Sequence, residues 1–350
     1  MSSPVTLGRT HPGRMIRRRG PADMTHRLRI AICDDWEQCA LEMADWSELQ
    51  RLADVQVFSQ PFSSQDDAVR QLQDFDAICL MRERTPFPKS LLAQLPRLKR
   101  LLFTGQRNFS VDTEFALSRG IAVSGTPGGP NKASTAEQTW ALILAATRRI
   151  VPAMTGMQAG QWRGTASADP YPLPDTLEGD RLGVIGLGDI GQRVARMGVG
   201  LGMEVVAWSP NLTTEKAAAC GVRRVEKNEL LATSRVVTLH LVLSERTQGI
   251  LGPTEYSLMR RDALLVNTAR AGLLDEPGLL AALDSGRPAH AALDVFGTEP
   301  LPQGSPWLRH PHVTISPHLG YVSTPVFETF YKATVSDLTR WVRESTMVPG

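Results

Sequence analysis

A chain of 350 residues with 42% hydrophobic and 21% charged residues and a formal charge of +2 has the makeup of a globular protein of two domains, which excludes a fibrous, disordered or nucleic-acid-coating polypeptide. The charge is unevenly placed, because residues 1–29 carry seven arginines against one aspartate and leave about −4 for the rest. No window approaches the ~18 apolar residues of a membrane span, and no apolar segment follows Arg17-Arg18-Arg19 as a secretion signal would require, so neither membrane nor nucleic acid is an expected partner.

The basic segment 1–27 reads as a disordered extension. Met24 offers an alternative start, and the arginine run could also serve as a transit peptide or nucleic-acid arm. Cys33, Cys39, Cys79 and Cys220 contain no pair at metal-ligand spacing; they read as reduced thiols of a cytoplasmic protein, and no metal site is expected. From residue 28, short apolar runs at 28–33, 77–80 and 101–103 alternate with helical patterns, which is α/β texture. After a run at 121–124 comes Gly125-Thr126-Pro127-Gly128-Gly129-Pro130, a cluster of chain breakers suited to a hinge and a domain boundary. Ser134 and Glu137 then stand at capping-box spacing ahead of Trp140, Leu142, Ile143, Leu144 and Ile150. The predicted helix is apolar around most of its circumference, so it belongs between domains or between subunits, and Glu137 reads as a cap. A proline-rich loop covers 162–177, strand and helix patterns alternate from 181 to 318, and the helical stretch 327–342 returns to the first domain.

Gly186-x-Gly188-x-x-Gly191 follows an apolar strand and opens a helix containing Val194, Ala195 and Met197. In that context the first glycine permits a tight turn, the second lets backbone approach a pyrophosphate, and the third lets helix pack on strand. The helix amino end, with Asp189 and Ile190 between the glycines, offers free N–H groups to phosphates. The next predicted strand, 205–208, ends at Ser209-Pro210-Asn211, where strict NAD preference would place a carboxylate for the ribose hydroxyls. The cofactor is therefore NAD or NADP, with the absent carboxylate favouring NADP and Lys216, Arg223 or Arg224 as its counter-charge.

Three polar residues stand in or just after predicted buried strands further on: Arg270, Glu299 and His318. Arginine can hold a substrate carboxylate in a bidentate fork. Histidine exchanges a hydroxyl proton near neutral pH, and a carboxylate beside it fixes its tautomer and favours its protonated form. Asp294 is a candidate for the nicotinamide amide. His240, His310 and His312 have no such company and read as structural.

Together, the segments 184–191, 266–272, 292–302 and 316–320 resemble those of the D-isomer-specific 2-hydroxyacid dehydrogenase family, in the same order and approximate spacing across nearly all of 28–345. The resemblance implies an α/β fold in which a Rossmann dinucleotide-binding domain, 128–321, is inserted into a discontinuous flavodoxin-like substrate domain, 28–127 and 322–350. It implies hydride transfer between nicotinamide and C2 of a small 2-hydroxy or 2-keto acid, as in glyoxylate and hydroxypyruvate reductases. By the same resemblance, Arg270 binds substrate, His318 is the acid/base and Glu299 its partner. The loop carrying Gly105 and Gln106 meets the substrate carboxylate, and His240, Thr247 and Thr268 join the cofactor contacts. The helix from Ser134 resembles the segment that builds the family's dimer contact, so a homodimer is expected. Three positions depart from the pattern: Ser209 replaces the acid, Val242 a frequent proline, and Tyr321 a smaller residue where it narrows the substrate pocket. Formate or phosphite chemistry uses the same scaffold, and a dinucleotide-sensing, corepressor-like protein without turnover is the alternative from another class.

Overall fold

The computed structural model describes residues 27–130, 132–163 and 173–347; most of the basic extension and part of the proline-rich loop lie outside them. Two parallel sheets organise the chain. The first contains β1 (Arg29–Ile32), β2 (Asp54–Val57), β3 (Ala77–Leu80), β4 (Arg100–Phe103) and β5 (Ala122–Gly125), in the order β2-β1-β3-β4-β5, which is the flavodoxin-like arrangement. The second contains β6 (Arg181–Ile185), β7 (Glu204–Trp208), β8 (Arg223–Arg224), β9 (Val236–Leu239), β10 (Leu264–Asn267), β11 (His290–Leu293) and β12 (Val313–Ile315). Its order, β12-β11-β10-β9-β6-β7-β8, reverses direction between β6 and β9 and leaves a crevice at that switch point.

Burial explains why these runs are strands. β3, β9 and β10 are buried at every residue, as parallel strands covered on both faces must be, whereas edge strand β2 alternates exposed and half-buried positions. The helix Thr324–Met347 follows the second sheet but returns to the first, where Phe327, Phe330, Tyr331 and Leu338 share a core with Ile30, Ile32, Trp46 and Leu49. On the same helix Asp337 holds Arg100 of β4 at 2.5 Å. The second sheet is thus inserted within the unit built on the first.

The helix Ala133–Thr147 packs Ala136, Trp140 and Ile143 against Val184, Val194, Val266 and Ala292 of the inserted unit, and the Trp140 indole donates to the Val194 carbonyl at 3.1 Å. The expected capping box does not form. The helix begins at Ala133 after Lys132 without a side-chain cap, because the Ser134 and Thr135 hydroxyls donate instead to the Gly320 carbonyl, at 3.1 and 2.7 Å. Tertiary contact outcompetes the local cap and ties this helix to the segment that follows β12. Among the described residues no helix is long and apolar enough to cross a membrane.

Candidate active site

The carboxyl ends of both sets of strands face one cleft. Gly186 closes β6 at φ +102°, and a Cβ there would lie 2.7 Å from the His240 carbonyl carbon, so both the turn and the neighbouring backbone require glycine. At Gly191 a Cβ would meet the Gly186 carbonyl oxygen at 2.0 Å, so the third glycine lets the helix Asp189–Gly200 close down on the turn. Gly188 differs, because a Cβ there meets nothing within 4 Å. The protein leaves this space open in front of the helix amino end, which begins with Asp189 and Ile190, and such a cradle fits a pyrophosphate.

The other expected cofactor contacts follow strands of the same sheet. Ser209 and Asn211 follow β7, Ser209 half-buried and Asn211 exposed. Of the possible counter-charges, Arg223 is paired with Glu204 and Glu229, and Arg224 with Glu226 and the Leu212 carbonyl. The His240 ring meets the Thr238 hydroxyl at 2.9 Å, and burial lowers its pKa to about 3, so it is neutral. Thr247 accepts from the Ser244 amide and donates to the Val242 carbonyl, which folds the 242–247 loop. The Thr268 hydroxyl is 2.7 Å from that of Thr139, linking the end of β10 to the helix Ala133–Thr147.

His318 sits at φ +55°, in the left-handed region, where a residue other than glycine is strained unless its surroundings hold it. The support is Asp294, just past β11 and fully buried. One of its oxygens accepts from the Ser316 hydroxyl at 2.5 Å and the Leu319 amide at 2.8 Å, and the other from the Gly320 amide at 2.8 Å. Burial raises the Asp294 pKa despite these bonds. The carboxylate expected to meet the nicotinamide amide therefore shapes the histidine loop.

Nδ1 of His318 is 2.6 Å from Glu299 Oε2, while Glu299 Oε1 accepts from the Phe296 amide at 2.8 Å. Burial alone would raise the Glu299 pKa, but the hydrogen bond and charge of His318, the Phe296 amide and Arg270 outweigh it and hold the carboxyl below its usual range. With Nδ1 occupied, Nε2 is the nitrogen left for proton exchange. Arg270 follows β10 and donates Nη1 to the Ala269 carbonyl at 2.8 Å.

The substrate-sheet wall is less legible in the sequence. Gly105, at φ +91°, donates its amide to the Thr126 hydroxyl at 2.8 Å. That leaves the exposed Gln106 as the nearer backbone donor for a ligand. A Cβ on Gly105 would strike the Arg82 guanidinium, which donates to the Thr104 carbonyl at 3.1 Å. Sequence reasoning missed Arg82, Glu83 and Arg84. The available signal is Arg82-Glu83-Arg84-Thr85 directly after the buried strand β3, since charges at the carboxyl end of a buried strand face the crevice. Glu83 touches both Arg82 and Arg270 at 3.5 Å. Arg84 grips Glu37 with two hydrogen bonds of 2.6 and 2.7 Å, lies over the Trp36 ring, and donates to the Tyr321 hydroxyl at 2.8 Å. Tyr321 packs edge-on to the His318 ring with centroids 5.4 Å apart, which positions its bulk beside the histidine. No cluster of three or more metal-ligating side chains occurs among the described residues.

A reversed-order parallel sheet with an open glycine cradle, inserted in a flavodoxin-like unit, defines a two-domain dinucleotide-binding protein. Comparison narrows the class: residues 140–320 match the family model "D-isomer specific 2-hydroxyacid dehydrogenase, NAD binding domain". The chain is 38% identical to the glyoxylate reductase of Aeropyrum pernix over 65% of this chain and 68% of that one. It is 34% identical to the D-3-phosphoglycerate dehydrogenase of Archaeoglobus fulgidus over 73% of this chain and 47% of that one. It spans about half the length of that dehydrogenase and of the D-3-phosphoglycerate dehydrogenase of Bacillus subtilis. The crystal structure of a phosphoglycerate oxidoreductase from Vibrio cholerae o395 is similar with a TM-score of 0.84 at 33% identity, covering 91% of this chain and 99% of that one. The chain belongs to the D-isomer specific 2-hydroxyacid dehydrogenase family, and its inserted unit is that family's NAD-binding domain.

Proposed function

We propose that this protein is an NAD(P)-dependent dehydrogenase that interconverts a small D-2-hydroxy acid and its 2-keto acid. The observation that carries this reading is the 2.6 Å contact of His318 with Glu299 in a cleft that also holds Arg270. Gly186, Gly188, Asp189, Ile190 and Gly191 would hold the dinucleotide, whose nicotinamide supplies or accepts the hydride. Arg270 anchors the substrate carboxylate beside the Gly105–Gln106 loop and orients the C2 carbonyl. His318 Nε2 gives the carbonyl oxygen its proton in reduction and takes it back in oxidation, while Glu299 holds the ring through Nδ1 and stabilises the imidazolium. Asp294, with Ser316, keeps the histidine in its left-handed conformation.

Of the two cofactors NAD is favoured, because the inserted unit matches an NAD-binding model and two of the three candidate counter-charges, Arg223 and Arg224, are paired with glutamates, with Lys216 the third. We place the substrate domain at 28–127 and 322–350 and the dinucleotide domain at 128–321. A second copy of the chain is the partner best suited to the helix Ile150–Gln158, which buries no residue and exposes Ile150, Val151, Met154 and Met157. Four free cysteines agree with a cytoplasmic, reducing setting. The test is oxidation of NADH and NADPH with glyoxylate, hydroxypyruvate, pyruvate and phenylpyruvate, alongside His318→Ala. Turnover that the substitution abolishes is expected, whereas cofactor binding with no turnover on any acid would replace this reading with a dinucleotide sensor.

A further inference from the structure

On the substrate side of the cleft, the loop after β3 presents Arg82, Glu83 and Arg84 in succession, and each side chain has a different task. Arg84 is fully matched by Glu37 and the Tyr321 hydroxyl. Arg82 lies against the Gly105 turn. Glu83 stands between the two sides of the cleft, with one carboxylate oxygen 3.5 Å from Arg270 Nη2 and the other 3.5 Å from Arg82 Nη2. Only 19% of its side chain is exposed, so its charge is largely removed from water. Both distances are charge contacts longer than a good hydrogen bond, and a ligand carboxylate offering Arg270 a bidentate fork can displace or share them.

Resting on the dehydrogenase reading above, we infer that Glu83 is a specificity-determining residue that restricts the site to 2-keto acids carrying a single negative charge. Glu83 offsets part of the charge of the two guanidinium groups it touches, and the carboxylate of a monoanionic acid meets what remains at Arg270. A second carboxylate or a phosphate on the substrate would meet Glu83, a like charge held in poorly solvated surroundings, where repulsion is weakly screened. Small acids with neutral side chains fit the pocket. Dicarboxylates and phosphorylated acids do not, which separates this chain from relatives named for phosphoglycerate.

The isosteric Glu83→Gln removes the charge and keeps the shape, and Glu83→Asp keeps the charge. With NADH, the native enzyme should show kcat/KM for hydroxypyruvate at least 100-fold above those for 2-oxoglutarate and 3-phosphohydroxypyruvate. Glu83→Gln should narrow that ratio at least tenfold, and Glu83→Asp should preserve it. A ratio that moves less than twofold in Glu83→Gln overturns the inference, as does a native preference for either doubly charged acid. Binding to the NADH-loaded protein, followed by nicotinamide fluorescence, separates this from the catalytic reading. Oxamate, with one charge, should bind at least tenfold more tightly than N-oxalylglycine, with two, and Glu83→Gln should erase the difference. Retained discrimination in binding without turnover sinks the dehydrogenase reading and supports the role of Glu83; equal binding of the two acids to the native protein, or binding of neither, sinks the role of Glu83.

Discussion

Replacing Gly188 and Gly191 separately by alanine distinguishes a glycine that serves the ligand from one that serves the fold. At Gly188 the backbone is extended, φ −82° and ψ −163°, and an added methyl meets no protein atom within 4 Å. Alanine is unstrained there, so by restricting the unfolded chain it should stabilise the ligand-free protein by about 0.4–1 kcal/mol. The same methyl fills the space assigned to the pyrophosphate. Losing one or two charge-assisted hydrogen bonds at ~1.5–3 kcal/mol each should weaken cofactor binding at least tenfold. At Gly191 the methyl would lie 2.0 Å from a backbone oxygen that cannot swing aside. The helix must then retreat by more than an ångström, at a cost of about 1–3 kcal/mol in stability, with cofactor affinity lost as well. Urea denaturation of the ligand-free variants and NADH titration by fluorescence measure the two effects. If Gly188→Ala binds NADH as the native protein does, the pyrophosphate does not lie in front of Gly188 and the site has been built in the wrong place.

Three further outcomes follow from other parts of the structure. Burial raises the Asp34 pKa from 3.8 to about 6, against hydrogen bonds from Thr85 and the charge of Arg84. The unfolded chain therefore loses this proton first, and stability falls by about 3 kcal/mol as pH rises from 3.8 to about 6. Asp34→Asn, tolerated at φ +63°, should recover much of that at pH 7 and nothing at pH 4; an equal effect at both pH values by denaturant titration would refute it. Asp337→Ala strips Arg100, whose side chain is 15% exposed, of its carboxylate, and should cost about 3 kcal/mol in urea; a change below 0.5 kcal/mol would show that the ion pair does not anchor the C-terminal helix. Met154→Lys on the exposed apolar helix should shift sedimentation from dimer to monomer with kcat/KM changing less than the assembly state, and an unchanged sedimentation coefficient would move the interface elsewhere.

What the linear chain determined by itself were features whose causes are local. Apolar runs such as 77–80 and 101–103 become strands, the first of them buried at every residue, and a three-glycine turn between strand and helix is legible from its spacing. The order of Arg270, Glu299 and His318, in or just after the later strands, pointed to the sheet edge where we place the site. What only the tertiary structure decided were hydrogen bonds and charges whose partners lie on other elements. Ser134 has the spacing of a cap and spends its hydroxyl on Gly320 instead. Asp294, expected beside the nicotinamide, has three donors from the histidine loop around it. Glu83, in a run with no periodic signature, meets Arg270 because the return of the last helix to the first sheet closes the two units around one cleft. A side chain's bonding capacity is written in its chemistry, but its partner is selected by packing, and packing brings together residues that no local pattern connects.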